Sequence, residues 1–205
     1  MNIKFHYLTV RARGESIKLL LKYVKQDFEV DTFGFDEIRE RNKESPNHKC
    51  PWVTIDGKDL AEEFAILRFF AKKHGLYGKD DWDAAEIDMM ADMFGDLVTS
   101  VLPYILVANG MVKGDLETAK KEFLLPNLEK SLPLFINFIK NSGTGFLHSS
   151  GLSWADFNVA NWITSFTYFD NEFKTKYPEL VEYQDKVYSL PGVKEYIEER
   201  PYSFL

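Results

Sequence analysis

"WVTIDGKDLAEEFAILRFFAKKHG", residues 52–75, carries two different periodicities joined without a break. Asp56-Gly57 sits between two short alternating runs. Both residues tolerate the positive φ that a two-residue hairpin turn demands, so the spacing predicts strand, turn, strand. From Glu62 the period lengthens. "EEFAILRFFAKKHG" (62–75) places apolar residues three and four apart, gathers Lys72, Lys73 and His74 in its last turn, and stops at Gly75. A hairpin running directly into an amphipathic helix is the end of an α/β layer structure, because each element leaves one apolar face that the other can cover.

The preceding residues complete that layer. "IKFHYL" (3–8) and "DFEVDTF" (27–33) alternate and are rich in aromatic and branched side chains, as strands are. "GESIKLLLKYV" (14–24) repeats apolar residues at helical spacing, and "FDEIRERNKE" (35–44) predicts a short polar helix with little to bury. The order is therefore β-α-β-α-β-β-α. After "GLYGKDD" no further strand pattern appears. "WDAAEIDMMADMFGDLVTSVLPYILVANG" (82–110) predicts one long helix kinked near Pro103, and residues 115–143 predict a second, with Pro126 and Pro133 inside it. "SWADFNVANWITSFTYF" (153–169) opens on Ser153 with Asp156 three residues on, a variant capping box. "PELVEYQDKVYSL" and "PGVKEYIEER" predict two shorter helices, each begun by its proline. The fold class is thus α/β followed by all-α, with domains at residues 1–78 and 79–205.

Composition narrows the function. The 205 residues are 45% apolar, enough for a sizeable core. Net charge is -7 and uneven: residues 1–76 hold 14 Lys+Arg against 12 Asp+Glu (+2), leaving 11 against 20 (-9) for the remainder. So acidic a second half argues against nucleic acid and against anionic membranes. "MNIKFHYLTV" is too short and polar for a signal peptide, no run of 18 apolar residues occurs, and the single Cys50 excludes an internal disulfide or CxxC pair. A cytoplasmic protein is expected. Several chemistries find no motif: no P-loop, HExxH or GxSxG is present. "GTGFLHSSG" (143–151) has His148 where a GxGxxG nucleotide loop has its third glycine, and it follows a helix. His6, His48, His74 and His148 lack metal-ligand spacing.

Four stretches, "YLTVRARGES" (7–16), "KCPWVTIDG" (49–57), "FAILRFFAKKHGLYG" (64–78) and "LSWADF" (152–157), together with the α/β-then-α layout, resemble the cytosolic glutathione S-transferases over the whole chain. The resemblance is strongest to the sigma-type branch, which includes nematode members and the haematopoietic prostaglandin D synthases. It implies a thioredoxin-like first domain, a helical-bundle second domain, and glutathione as co-substrate. By that likeness Tyr7 matches the catalytic tyrosine whose hydroxyl favours the thiolate, and Arg13 the arginine that supports it. The need is plain: a free thiol near about pKa 8.5 is mostly protonated at neutral pH, and only the thiolate attacks.

The same likeness implies glutathione contacts at Lys49, Asn42 or Lys43 for the glycine carboxylate. It gives Cys50 a backbone pairing ahead of a cis Pro51, and Asp96 a reach to the γ-glutamyl amine of a neighbouring subunit in a homodimer. Leu8, Arg11 and Tyr104 would line a pocket for a small apolar electrophile. The chain also departs from the pattern. Ile38 stands where related proteins have tryptophan, Asn47-His48 replaces an aromatic-glycine pair, and Glu62-Glu63 replaces the Gln-Ser that holds the γ-glutamyl carboxylate. Two like unit charges 4 Å apart repel by about 4 kcal/mol at an effective dielectric of 20. Acidic residues in a first helical turn do stabilise a helix, by about 0.3–1 kcal/mol. Asp92 and Asp96 match two carboxylates of a cation site in some prostaglandin synthases, but Gly95 replaces the third, so no metal is expected. The expected activity is conjugation of glutathione to apolar electrophiles, or peroxide reduction, with a weakened carboxylate site. The alternatives are a binding protein of the same fold that sequesters apolar ligands, and a prostaglandin isomerase.

Overall fold

The computed structural model describes residues 1–201. Four strands, β1 (Ile3–Leu8), β2 (Glu29–Phe33), β3 (Trp52–Ile55) and β4 (Lys58–Ala61), form one sheet in the order β2-β1-β3-β4. β1 runs parallel to β2, with Phe5 opposite Val30, and antiparallel to β3, with Phe5 opposite Val53. The parallel pair needs a crossover, which α1 (Ala12–Tyr23) supplies. The predicted hairpin is present: Ile55 pairs with Lys58, and Asp56 and Gly57 both take positive φ, 48° and 81°. The polar segment after β2 forms only one α-turn, α2 (Ile38–Arg41), and a 3-10 turn at Asn42–Glu44, and none of its residues is buried. Arg41 pins it, donating to Asp31 and lying over the Phe33 ring. α3 (Glu63–His74) ends at left-handed Gly75.

α1 and α3 pack on each other, and α3 on β3 and β4, and the two helices bury Ile17, Leu20, Leu21, Ile66, Leu67 and Phe70 fully. Within the sheet Trp52 stacks on His6 at 4.5 Å, and His6 is bracketed by Asp31 and Thr54.

The remaining helices are α4 (Asp81–Ala108), α5 (Leu116–Ala119), α6 (Leu125–Ser142), α7 (Trp154–Phe169), α8 (Phe173–Lys176), α9 (Pro178–Tyr188) and α10 (Val193–Glu199). α4 is long and apolar enough to cross a membrane by length and composition alone. In its most apolar window 44% is buried within the protein. The single helix expected over 115–143 is interrupted by a π-helical turn at Lys120–Leu124. Pro126, which has no N–H, then falls in the first turn of α6, where none is needed, and Asn127 Nδ2 donates to the Phe123 carbonyl (2.7 Å). α9 begins at its proline as expected, but α10 does not: Gly192 caps it, with Glu195 accepting the Gly192 N–H (2.6 Å), and Pro191 lies outside.

By internal contact the chain forms two compact units, Met1–Tyr77 together with Asp156 onward, and Gly78–Ala155. In the first unit, polar groups tie α1 to α7 and α10. Arg11 donates to Asn161 Oδ1 (3.0 Å) and Ser165 Oγ (3.2 Å), and Asn161 Nδ2 donates to the Ala12 carbonyl (2.7 Å). Fully buried Glu15 is met by Lys18 (2.7 Å), Arg200 and the Tyr196 hydroxyl (3.1 Å).

One glycine sets how closely α1 approaches β1. A Cβ at Gly14 would lie 2.3 Å from Tyr7 Cδ1. Alanine favours a helix over glycine by about 1 kcal/mol, yet forcing the buried tyrosine ring aside costs about 1–3 kcal/mol. Gly14→Ala is therefore expected to lower the urea midpoint and to lower turnover in the same protein. An unchanged midpoint with unchanged turnover would show that the ring has room to move.

Candidate functional site

Tyr7 is the penultimate residue of β1 and is buried, 4% exposed. Its hydroxyl oxygen accepts the backbone N–H of Arg13 (3.1 Å), the second residue of α1. An oxygen that already accepts keeps its own O–H free to donate. Burial pushes the phenol's pKa well up, with the Cys50 and Glu63 sites adding to it and the Arg13 and Gly14 N–H groups opposing. The group is thus a neutral donor at working pH, suited to an anion on its far side.

Arg13, Asn47, Lys49, Cys50, Pro51, Glu62 and Glu63 line a cavity of about 290 Å³. The Cys50–Pro51 bond is cis, as the likeness implied. Burial pushes the Cys50 thiol up, away from the reactive thiolate, so the position offers its backbone rather than its sulfur. Of the residues expected to hold glutathione, Arg13, Lys49, Cys50, Pro51, Glu62 and Glu63 come together here. Tyr7, Ile38, Asn42 and Lys43 are not among the residues lining the cavity: Tyr7 meets its edge through the Arg13 N–H that its hydroxyl accepts, and the Lys43 ammonium is held by Glu40 (2.7 Å). Among the described residues five non-glycines have positive φ. Ala12 (28°), His48 (56°) and Glu62 (73°) are three of them, each next to a cavity residue, which is where backbone strain collects in functional sites.

The two departures at 47 and 62 explain each other. Asn47 Nδ2 donates to Glu62 Oε1 (2.8 Å), while its Oδ1 accepts from Ser45 Oγ (2.8 Å) and the Lys49 N–H (3.1 Å). Asn47 therefore organises the loop around the cavity. Sequence reasoning had found in it only the loss of an aromatic side chain.

Glu63 is 4% exposed. Its Oε1 accepts from Ser16 Oγ (2.6 Å) and from Asn158 Nδ2 on α7 (2.6 Å). Its Oε2 has the Arg13 guanidinium at 3.6 Å. Burial outweighs these partners and pushes the carboxyl up to about 7, with Glu62 adding to the rise. Ser16 and Asn158 are the site residues that sequence reasoning missed. Ser16 lies within a quoted motif, whereas Asn158 is 95 residues away from Glu63 and carries no local signal.

Leu8 and Arg11 line a second cavity of about 380 Å³ with Val10, Phe28, Val30 and others. Tyr104 (buried) and Asp96 (exposed) are both on α4 in the other unit. Among the described residues one trio, Asp83, Glu86 and His148, has metal-ligand spacing. His148 Nδ1 accepts the Ser150 N–H (3.1 Å), which leaves the proton on Nε2, pointing at Glu86 Oε2 (3.2 Å).

Residues 106–200 match the family model of the glutathione S-transferase C-terminal domain. Probable glutathione S-transferase 5 of Caenorhabditis elegans is 34% identical, over 98% of this chain and 98% of that protein. The crystal structure of monomeric Na-GST-3, a glutathione S-transferase of the hookworm Necator americanus, superposes with a TM-score of 0.92 at 33% identity, covering 99% of both chains. A prostaglandin synthase D of Nilaparvata lugens superposes at 0.87 with 29% identity, covering 98% of this chain and 100% of that one. With a tyrosine near the end of β1, a cis-proline loop and this likeness along the full length, the chain belongs to the glutathione S-transferase family.

Proposed function

We propose that the cavity between the start of α1, the cis-Pro51 loop and the start of α3 holds glutathione, and that Tyr7 stabilises its thiolate for attack on an apolar electrophile or a hydroperoxide. The observation that carries this is the Arg13 N–H accepted by the Tyr7 oxygen, which directs the phenol's own hydrogen elsewhere. The glutathione sulfur would accept that hydrogen bond and give up its proton to solvent water. The thiolate then attacks the electrophile's carbon, and the electron pair leaves on the displaced group. Arg13 adds a cation at the site, and exposed Lys49 at the cavity rim suits the glycine carboxylate. The Cys50 backbone, turned by cis-Pro51, would pair with the cysteinyl amide as an added strand does. Leu8 and Arg11 suggest the second-substrate side. We infer further that the enzyme works in the cytoplasm as a homodimer, in which exposed Asp96 reaches a neighbouring subunit's glutathione.

One observation favours the second reading, a binding protein of the same fold: a buried carboxylate at Glu63 where the γ-glutamyl carboxylate would dock. Turnover at saturating glutathione separates the two. With 1-chloro-2,4-dinitrobenzene as electrophile, the wild type is expected to turn over, and Tyr7→Phe to lose about 10²-fold in kcat through the lost donor. Equal turnover in both proteins overturns the role of Tyr7, and no turnover in either favours the binding protein.

Lys49 tests ground-state binding separately. Lys49→Ala is expected to raise KM for glutathione about tenfold, equivalent to about 1.4 kcal/mol, with kcat unchanged. A fall in kcat at constant KM would place Lys49 in the chemistry instead.

A further inference from the structure

Two carboxyl groups, Glu62 and Glu63, line this cavity, and of the two Glu63 is the buried one. It is held by two elements besides its own: Ser16 on α1 and Asn158 on α7 both donate to Oε1. Among the described residues none hydrogen-bonds Oε2: the Arg13 guanidinium stands 3.6 Å off, and that side chain is 45% exposed. The other groups facing the carboxylate are Tyr7 on β1, which is neutral, and Glu62, which is anionic; Lys49 and Cys50 share the cavity. The charged side chains lining it are Arg13 and Lys49 against Glu62 and Glu63, so they cancel. An arriving carboxylate finds no net positive field. It also finds a buried oxygen with free lone pairs at the place where the family pattern offers a serine hydroxyl.

A buried carboxylate approached by a second carboxylate is neutralised by a proton more cheaply than it is repelled as an ion. We propose that glutathione docking is proton-coupled in this enzyme: Glu63 takes up one proton at Oε2 as the γ-glutamyl carboxylate arrives, and its O–H becomes the donor to that carboxylate. Glu63 is thereby a specificity-determining residue, admitting the γ-glutamyl carboxylate only together with a proton. This rests on the glutathione reading above. Proton balance is simple: one proton moves from solvent to Oε2, and no bond in glutathione changes.

The probe is S-methylglutathione, which has no thiol to titrate. Calorimetry across pH 5.5–8.5, in two buffers of different ionisation heat, reads the protons taken up. In the wild type, uptake should be small at the acid end, where Glu63 already holds its proton, and approach one at the alkaline end. Affinity should fall about tenfold per pH unit above 7. Glu63→Gln should bind with no uptake and no such fall. An analogue with the γ-glutamyl carboxylate converted to its amide should bind the wild type without uptake. Wild-type binding that is flat with pH and free of uptake overturns the proposal. Binding that tightens with pH overturns it too, because ionised Glu63 would then be holding the γ-glutamyl ammonium. If neither protein binds at any pH, the glutathione reading itself falls and the coupling with it.

A ligand-free measurement checks the group independently. A carboxyl whose folded pKa is raised favours the folded state below its unfolded value of about 4.5, and this stability is lost as pH rises through about 7. Relative to Glu63→Gln, the wild type should therefore lose melting temperature between pH 5 and pH 8. A constant difference between the two proteins across that range would show that Glu63 does not titrate there.

Discussion

Glu15 and Glu63 are carboxylates with almost no access to water, and a charge in that position must be met by partners or not exist. The fold of the first unit follows from how each is met. Glu15 draws Lys18 from its own helix and Arg200 and Tyr196 from the far end of the described chain. Glu63 draws Ser16 from α1 and Asn158 from α7. Arg11, equally buried, donates to Asn161 and Ser165. α1 thus has two sides: an apolar one against the sheet and a polar one that only the later helices satisfy. This is why the first compact unit contains both the sheet and residues from Asp156 onward. A truncated chain ending after α3 would take Asn161 and Ser165 from Arg11, Arg200 and Tyr196 from Glu15, and Asn158 from Glu63.

The difference between Glu15 and Glu63 is instructive because burial opposes charge in both. Glu15 lies far below the ordinary carboxylate environment's exposure yet its pKa is lowered, since Lys18 and Arg200 both bring positive charge and hydrogen bonds that outweigh burial. Glu63 has two neutral donors and a guanidinium beyond hydrogen-bond reach, and its pKa is raised. Neutral hydrogen bonds contribute about half of what charged ones do, so the sign of each shift follows from the partners' charge rather than their number. One carboxylate is therefore a permanent strut, and the other is able to change state.

What the sequence disclosed was the locally encoded part. Asp56-Gly57 and Gly75 announce themselves because their backbone conformations restrict which residues fit, and the strands and α3 follow from a period readable within a dozen residues. The prolines misled where their consequence depended on a neighbouring turn: the π-helical turn before α6 moves Pro126 to a harmless position, and a glycine cap takes the start of α10 from Pro191. Contacts such as Asn158 to Glu63 have no local pattern at all. Asn47 shows a subtler limit. Measured against a family pattern it is a loss, and only its three hydrogen bonds reveal that it compensates Glu62 and shapes the Lys49 loop.

These features bear on how protons move if glutathione binds as proposed. Forming the thiolate at Tyr7 releases a proton, most fully at low pH where the free thiol is intact. Docking the γ-glutamyl carboxylate against Glu63 consumes one, most fully at high pH where Glu63 is ionised. The two events oppose each other within one ligand, so whole glutathione binds with a smaller net proton change near neutrality than either end alone would require. The same opposition narrows the useful pH range from both sides, because the carboxylate end weakens as pH rises while the thiol end fails to ionise as pH falls. A serine at position 63 would remove the alkaline limit alone. In the proposed scheme Glu63 acts on affinity and on the pH profile together, while Tyr7 stays neutral throughout, its oxygen held by the Arg13 N–H.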